Sequence, residues 1–302
     1  MNKFGKILLP FITSFEKNED VNYHAFADLI EFAIKRNYCD TIIVTGTTGE
    51  FNTLTFEERV KLFETAIKTN KGRKPIIAGT GCASTKETCE LTKGAVDMGI
   101  YTCMVVAPFY CKPTQDAIYD HYNRVIEYSG AKILVYNIPI FTGVNVETAT
   151  LARLAKHPNL IGVKDESGIN PTQLTDYYNE INPINPNFLY FNGDDIMLMP
   201  TLAQGVTGIV SGGAQTVGDR IRKVFDLYLS GKVDEALAIY RQLYKLYKLL
   251  GINGRINPIP MARKSVEIVT GIKVGNARGP LNGVTAQEEK AMRDLLTEME
   301  VI

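Results

Sequence analysis

Apolar stretches rich in β-branched and aromatic residues recur along the chain, and a segment with helical periodicity follows each of them. We predict eight strands, at 7–15, 41–45, 75–80, 101–109, 132–139, 160–167, 188–195 and 205–212. We predict eight helices in alternation with them, near 21–36, 55–70, 84–98, 114–128, 147–156, 170–181, 196–203 and 214–229. The strands are apolar almost throughout, which is typical of a parallel sheet buried on both faces.

Eight consecutive strand–helix units predict an α/β fold, specifically a (β/α)8 barrel of the TIM type. A doubly wound sheet is the alternative, but no GxGxxG pattern follows the first strand. Three more helical segments follow the eighth unit, at 232–250, 258–270 and 286–299. We therefore predict a barrel at 1–230 and a C-terminal helical bundle at 231–302.

Composition and charge limit the kinds of binding partner that we expect for this chain. The 302 residues include 33 Lys and Arg against 33 Asp and Glu, so there is no excess of positive charge for nucleic acid or an anionic membrane. The five cysteines are odd in number and form no CxxC pair, which fits free thiols better than disulfides or a zinc site. The N-terminal apolar run is too short for a membrane span and has no signal-peptide pattern. We expect a cytoplasmic protein that binds neither nucleic acid nor membrane.

Polar motifs stand at the predicted ends of six strands. In chain order they are Gly46-Thr47-Thr48-Gly49-Glu50, Pro108-Phe109-Tyr110, Tyr136-Asn137-Ile138-Pro139, Lys164 to Gly168, Asn192-Gly193-Asp194-Asp195 and Ser211-Gly212-Gly213. The active sites of (β/α)8 barrels lie where the strands end, so these motifs are the candidates for chemistry.

Lys164 is the most informative of these residues. Strand alternation places Gly162, Lys164 and Glu166 on one face of the sixth strand. A lysine inside a barrel loses hydration, which lowers its pKa and favours the neutral amine needed for a Schiff base with a carbonyl compound. The alternative is a structural lysine paired with Asp165 or Glu166.

The other candidates carry weaker signals. The loop that contains Thr47 and Thr48 offers hydroxyl and amide groups that can hold a carboxylate, although turn chemistry alone also produces such loops. Tyr136 and Tyr110 can relay protons, and the alternative for each is a packed aromatic residue with a satisfied hydroxyl.

Two other functional hypotheses stay open from the residues alone. A magnesium site could form from the carboxylates at neighbouring strand ends, which are Asp165, Glu166, Asp194 and Asp195. A histidine-rich zinc site is disfavoured, because His24, His121 and His157 are far apart and none ends a strand. A non-catalytic protein that binds keto acids is the third hypothesis, but binding does not need both a nucleophile and a proton relay.

Together the motifs GTTGE, Tyr-Asn-x-Pro, Gly-x-Lys and Gly-Asp-Asp resemble the dihydrodipicolinate synthase and N-acetylneuraminate lyase family over nearly the whole chain. The resemblance implies a class I aldolase mechanism, in which Lys164 forms an imine with pyruvate or a longer 2-keto acid. It implies no metal and no other cofactor, since the covalent imine on Lys164 takes that place. The partners it implies are pyruvate and an aldehyde, and the expected assembly is a homotetramer built as a dimer of dimers.

The resemblance also assigns roles. Catalysis falls to Lys164, to Tyr136 as the proton shuttle, to Tyr110 lent across a dimer interface, and to Thr47 in a Thr-Tyr-Tyr relay. The residues expected at the substrate are Gly46, Thr47, Thr48, Gly193, Val210, Ile140 and Phe141.

One departure from the family decides the predicted substrate. Dihydrodipicolinate synthases usually carry Ser or Thr and then Arg after Tyr-Asn-x-Pro, and the Arg grips the carboxylate of aspartate semialdehyde. Here these positions are Ile140 and Phe141. We therefore predict an aldolase that cleaves or forms a 2-keto-3-deoxy sugar acid, with the dihydrodipicolinate synthase reaction as the alternative. Arg255 in the C-terminal segment could in principle replace the missing guanidinium.

Overall fold

The computed structural model describes residues 3–166, 168 and 170–302. Within this part of the chain there are eight strands, β1 to β8, at Ile7–Pro10, Thr41–Val44, Ile76–Gly79, Thr102–Val106, Lys132–Asn137, Leu160–Asp165, Leu189–Asn192 and Gly208–Val210. They form a closed barrel in the order β1 to β8, and β1–β2 and the successive pairs from β3 to β8 are parallel. The predicted (β/α)8 barrel is confirmed.

The described residues also form twelve α-helices, α1 to α12, at Tyr23–Lys35, Phe56–Asn70, Thr85–Asp97, Gln115–Ser129, Pro139–Thr142, Thr148–Leu154, Gln173–Ile181, Leu198–Ala203, Ala214–Leu229, Val233–Leu250, Ile259–Thr270 and Ala286–Glu298. Every predicted helix has a counterpart, and the three C-terminal segments are helical. The short helix α5 was not predicted, because its four residues make only about one turn and leave no periodic pattern.

Local sequence explains where several helices begin. The Thr55 hydroxyl accepts a hydrogen bond from the Glu58 amide, and the Glu58 carboxylate accepts one from the Thr55 amide. The two bonds form a capping box at the start of α2. Ser84 caps α3 and Thr114 caps α4 in the same way through one hydrogen bond each. These caps fix the ends of the helices that alternate with the strands.

The chain divides into two compact units. One consists of Ile76–Val210 with the N-terminal residues up to Gly5, and it contains β3 to β8 and α3 to α8. The other consists of Lys6–Pro75 and Ser211–Ile302, and it contains β1, β2, α1, α2 and α9 to α12. The division into a barrel at 1–230 and a helical bundle at 231–302 stays a prediction. Of the helices described, none combines the length and apolarity that a membrane crossing requires.

Candidate active site

Lys164 and Tyr136 are neighbours on adjacent strands. The register of β5 and β6 pairs them directly, and both side chains are buried, with 4% of Lys164 and 2% of Tyr136 exposed. The Lys164 Nζ lies 3.8 Å from the centre of the Tyr136 ring. The barrel strands thus bring together the predicted nucleophile and the predicted proton shuttle.

Glu166 joins this pair from the end of β6. Its Oε1 lies 3.4 Å from the Lys164 Nζ and accepts a hydrogen bond of 3.2 Å from the Tyr136 hydroxyl. Its backbone amide donates to the Asn137 carbonyl oxygen at 3.0 Å, which continues the pairing of β5 and β6 by one residue. The three side chains form one hydrogen-bonded and ion-paired cluster.

The cluster shifts the proton affinity of two of its members. Burial lowers the pKa of Lys164, although the carboxyls of Glu166, Asp195 and Asp194 work in the opposite direction. Burial also raises the pKa of Glu166 to about 7, aided by Asp194 and opposed by the Lys164 ammonium. Both shifts run in the direction of the neutral amine and the neutral carboxyl.

Asp165 points away from this cluster and has a structural role. Its Oδ1 accepts hydrogen bonds of 2.8 Å from the Asn137 amide and 2.8 Å from the Gln173 amide. The side chain is 1% exposed. Of the two carboxyls proposed to pair with Lys164, the structure therefore brings Glu166 and not Asp165 to the amine.

The loop after β7 frames the other side of Lys164. A Cβ atom added to Gly193 would lie 2.5 Å from the Lys164 Cε, so the absence of a side chain leaves room for the lysine. Asp194 caps the following 3-10 turn by accepting a hydrogen bond of 3.0 Å from the Ile196 amide. Among the described residues, no group of three or more His, Cys, Asp or Glu is arranged to hold a metal ion.

The predicted specificity residues lie in α5. Ile140 and Phe141 are 58% and 41% exposed, and neither carries a charge. Tyr110 follows β4, is 91% exposed and adopts a left-handed backbone with φ of 71°. Val210, at the end of β8, is buried.

Gly46, Thr47 and Thr48 lie after β2, in the other compact unit. The segment forms a 3-10 turn over Thr47–Gly49 with Gly46 at its start. The Gly49 amide donates to the Gly46 carbonyl at 3.0 Å, and the Glu50 amide donates to the Thr47 carbonyl at 2.9 Å. The backbone hydrogen bonds of this turn therefore occupy two of the amide groups that were candidates for binding a carboxylate.

Glu50, the last residue of the GTTGE motif, makes a buried ion pair that sequence reasoning missed. Its Oε1 accepts a hydrogen bond of 2.8 Å from Arg263 of α11, and the side chains are 1% and 2% exposed. Its Oε2 accepts one of 2.9 Å from the Arg278 amide. Arg263 also donates to the carbonyl oxygen of Thr13 at 2.6 Å. These contacts tie the GTTGE turn to the C-terminal segment.

Arg255 is engaged elsewhere. Its Nε and Nη2 donate to the two carboxylate oxygens of Glu288, each at 3.0 Å. This bidentate pair also lowers the pKa of Glu288 to about 2. The guanidinium therefore contributes to the C-terminal helices, and nothing in its contacts assigns it to a substrate carboxylate.

The chain matches the sequence profile of the Dihydrodipicolinate synthetase family over residues 3–299. It is 35% identical over 297 residues to the 4-hydroxy-tetrahydrodipicolinate synthase of Oceanobacillus iheyensis, covering 98% of each chain. It is 37% identical over 299 residues to the enzyme of that name from Listeria innocua, covering 97% of each. A crystal structure of dihydrodipicolinate synthase from Cyanidioschyzon merolae with lysine bound superposes with a TM-score of 0.93 at 31% identity over 100% of both chains.

Proposed function

Because the chain belongs to the dihydrodipicolinate synthetase family, we propose that it condenses pyruvate with aspartate semialdehyde through an imine on Lys164. The chain is a pyruvate-dependent enzyme of the class I aldolase type. The names of the relatives favour the synthase reaction and give no support to the sugar-acid aldolase that the sequence analysis put first. The order of the two hypotheses is therefore reversed.

The observation that carries the proposal is the buried Lys164 amine against Tyr136. An amine attacks a ketone only when it is neutral, and burial lowers the pKa of Lys164. The phenol at the same site is positioned to move protons during formation and breakage of the bond. The covalent imine is the proposed replacement for a cofactor.

The remaining roles follow the family pattern and stay predictions. Thr47 and Thr48 are proposed to hold the keto-acid carboxylate, and Thr47 and Tyr110 to complete the proton relay with Tyr136. Gly46, Gly193 and Val210 are proposed to line the binding site. Each of these roles rests on the match between a motif of this chain and the corresponding motif of the family.

A second candidate function keeps one specific observation in its favour. Ile140 and Phe141 are exposed and uncharged, and Arg255 is paired with Glu288, so none of the three offers a free guanidinium to a second carboxylate. A neutral aldehyde, such as one that yields a 2-keto-3-deoxy sugar acid, has no carboxylate at that end. This reaction is the alternative to be tested.

Steady-state kinetics with both aldehydes tests the proposal. With pyruvate saturating, we expect kcat/KM to be higher for aspartate semialdehyde than for glyceraldehyde. The matched variants are Phe141→Arg, which restores a fork-shaped cation, and Phe141→Gln, which is polar but uncharged. We expect the arginine variant alone to gain about tenfold for aspartate semialdehyde, equivalent to about 1.4 kcal/mol. Faster turnover of glyceraldehyde by the wild-type chain would overturn the proposed aldehyde and leave the pyruvate chemistry standing.

A further inference from the structure

Glu166 has the contacts of a participant in the reaction as well as those of an ion-pair partner. A single oxygen, Oε1, faces both the Lys164 Nζ at 3.4 Å and the Tyr136 hydroxyl at 3.2 Å. A proton on this carboxyl is therefore within reach of the nucleophile and of the proposed proton shuttle. The family resemblance assigned no role to this position.

The groups around Glu166 act in opposite directions on the charge of its carboxyl. Its side chain is 21% exposed, and the titratable groups that face it are Lys164 on β6, Tyr136 on β5, and Asp194 and Asp195 after β7. The two aspartates repel a negative charge on Glu166, whereas the ammonium attracts one. A group whose pKa lies near neutral pH is suited to both giving and taking a proton.

A purely structural carboxylate would work against the chemistry at Lys164. An ionised partner stabilises the ammonium, and an ammonium has no lone pair for attack. When Glu166 and Lys164 share one proton, the form with that proton on the carboxyl contains both a nucleophilic amine and an acid. The geometry allows this form, because the two groups lie at hydrogen-bond range.

We propose that Glu166 is a catalytic acid–base residue, which protonates the departing hydroxyl during imine formation and then removes a proton from C3 of the bound keto acid. The inference rests on the proposed imine at Lys164 and applies to either candidate aldehyde. It distinguishes Glu166 from Asp165, whose oxygen is bound to Asn137 and Gln173.

The steps balance without an external reagent. Attack of the neutral Lys164 amine on C2 and transfer of one proton from nitrogen to oxygen give a carbinolamine. The protonated Glu166 donates to its hydroxyl, the C2–O bond breaks, water leaves, and a C=N iminium forms beside the new carboxylate. The carboxylate then takes a proton from C3, and the C3–H electron pair forms the C2=C3 bond. The C=N π pair returns to nitrogen, which gives an enamine and restores the acid.

Exchange of the pyruvate methyl protons in D2O measures the second step without any aldehyde. We expect the wild-type chain to exchange them and Glu166→Gln to lose at least about a hundredfold in rate, within the range of general acid–base effects. Glutamine keeps the size of the side chain and still accepts a hydrogen bond from Tyr136. Asp294→Asn is the charge-matched control, and we expect its exchange rate to stay within about fivefold of wild type, because it removes an exposed charge on α12 and no group of the Lys164 cluster.

Borohydride trapping of pyruvate on the same variants separates the possible failures. We expect Glu166→Gln to reach the wild-type extent of adduct on Lys164, but more slowly, which also shows that the site is folded. Faster trapping than wild type at neutral pH would overturn the proposal, because loss of a purely electrostatic partner lowers the pKa of Lys164 further. The proposal would also be overturned if Glu166→Gln forms the imine and exchanges the methyl protons of pyruvate at the wild-type rate. No adduct on the wild-type chain would instead remove the proposed function, and the role of Glu166 with it.

Glu166→Asp keeps the inference falsifiable if the glutamine variant does not fold. Aspartate retains the acid but withdraws it by one methylene group from the Lys164 amine. We expect an exchange rate below that of the wild type, with its dependence on pH retained. An exchange rate equal to that of the wild type would overturn the proposal, because the acid would then act without contact with the Lys164 amine.

Discussion

The Lys164 nitrogen lies against the Tyr136 ring because β5 and β6 pair these two residues in register. The same strands bring the Glu166 carboxyl to the Tyr136 hydroxyl. A phenol in this position has two separable properties: its ring contacts the amine, and its hydroxyl carries a proton. A substitution that removes only the hydroxyl therefore isolates proton transfer.

For Tyr136→Phe we expect kcat to fall by about 10² to 10⁴, since the ring and its packing remain while the proton carrier is lost. The imine on Lys164 should still form and should still be trapped by borohydride. Steady-state kinetics together with mass spectrometry of the trapped adduct make the comparison. A kcat within threefold of wild type would show that Tyr136 carries no proton in the rate-limiting step.

His121 is a buried residue whose protonation is coupled to folding. Burial, with a smaller effect of Arg124, lowers the pKa of His121 to about 4, and its Nδ1 lies 2.9 Å from the Thr85 hydroxyl. The unfolded chain binds a proton at this residue near pH 6.5. The native state therefore loses stability from this group as pH falls from about 6.5 towards 4.

Urea unfolding of wild type and His121→Gln at several pH values tests this coupling. The difference in the free energy of unfolding between the two should shrink by about 1–2 kcal/mol between pH 7 and pH 5. Taking the difference removes the titration of groups common to both chains, including Glu166. A difference that does not change with pH would contradict the coupling.

The sequence named Lys164 and Tyr136 as catalytic candidates and Glu166 as an ion-pair partner or magnesium ligand, but it pointed to no acid–base role for Glu166. Strand alternation placed Lys164 and Glu166 on one face, and their contact is observed. The proton affinity of Glu166 depends also on burial and on the two aspartates after β7. Burial and the position of the two aspartates depend on the folded chain, and no pattern within residues 160–167 reveals them.

At the scale of elements, the turn after β2 is held by groups distant in sequence. Glu50 has a left-handed backbone, with φ of 56°, and its carboxylate pairs with Arg263, 213 residues later in the chain. Arg278 extends the link by donating to both carboxylate oxygens of Glu58 at the start of α2. Local patterns predicted the turn and the helix, but nothing local in the sequence points to a partner at such a separation.

We expect Glu50→Gln to lower the free energy of unfolding by about 3–5 kcal/mol, because it leaves the Arg263 charge buried without its partner. The double variant Glu50→Gln, Arg263→Met should lose less than the sum of the two single variants. The matched control is Asp294→Asn, which breaks the exposed pair with Lys290 on α12 and should cost no more than about 0.5 kcal/mol. Urea unfolding of the four variants measures these values, and additive losses at Glu50 and Arg263 would argue against direct coupling.

At the scale of the whole molecule, the barrel was predictable because its strands and helices repeat along the chain. The eight apolar runs and the helical segments after them have counterparts in β1 to β8 and the helices described above. The oligomeric state was harder to predict, because the sequence of one chain does not show which surface contacts a second copy. Tyr110 is 91% exposed in a left-handed conformation, and the family pattern predicts that it completes the site of a second copy.

We expect the chain to be a homotetramer in solution, and light scattering coupled to size-exclusion chromatography measures this directly. Activity per chain should fall on dilution wherever the dimer contact that supplies Tyr110 dissociates. Tyr110→Phe should keep the assembly and lower kcat. A fully active monomer would contradict the shared-site prediction.

Formation of an imine on Lys164 is the claim on which the proposed reaction and the role of Glu166 both depend. The most direct measurement is peptide mass spectrometry after incubation with pyruvate and borohydride, which converts the imine to a stable secondary amine. We expect the adduct on the peptide that contains Lys164, and no adduct in the Lys164→Arg variant. A folded wild-type chain that gives no adduct, or gives it at another lysine, would contradict the mechanism.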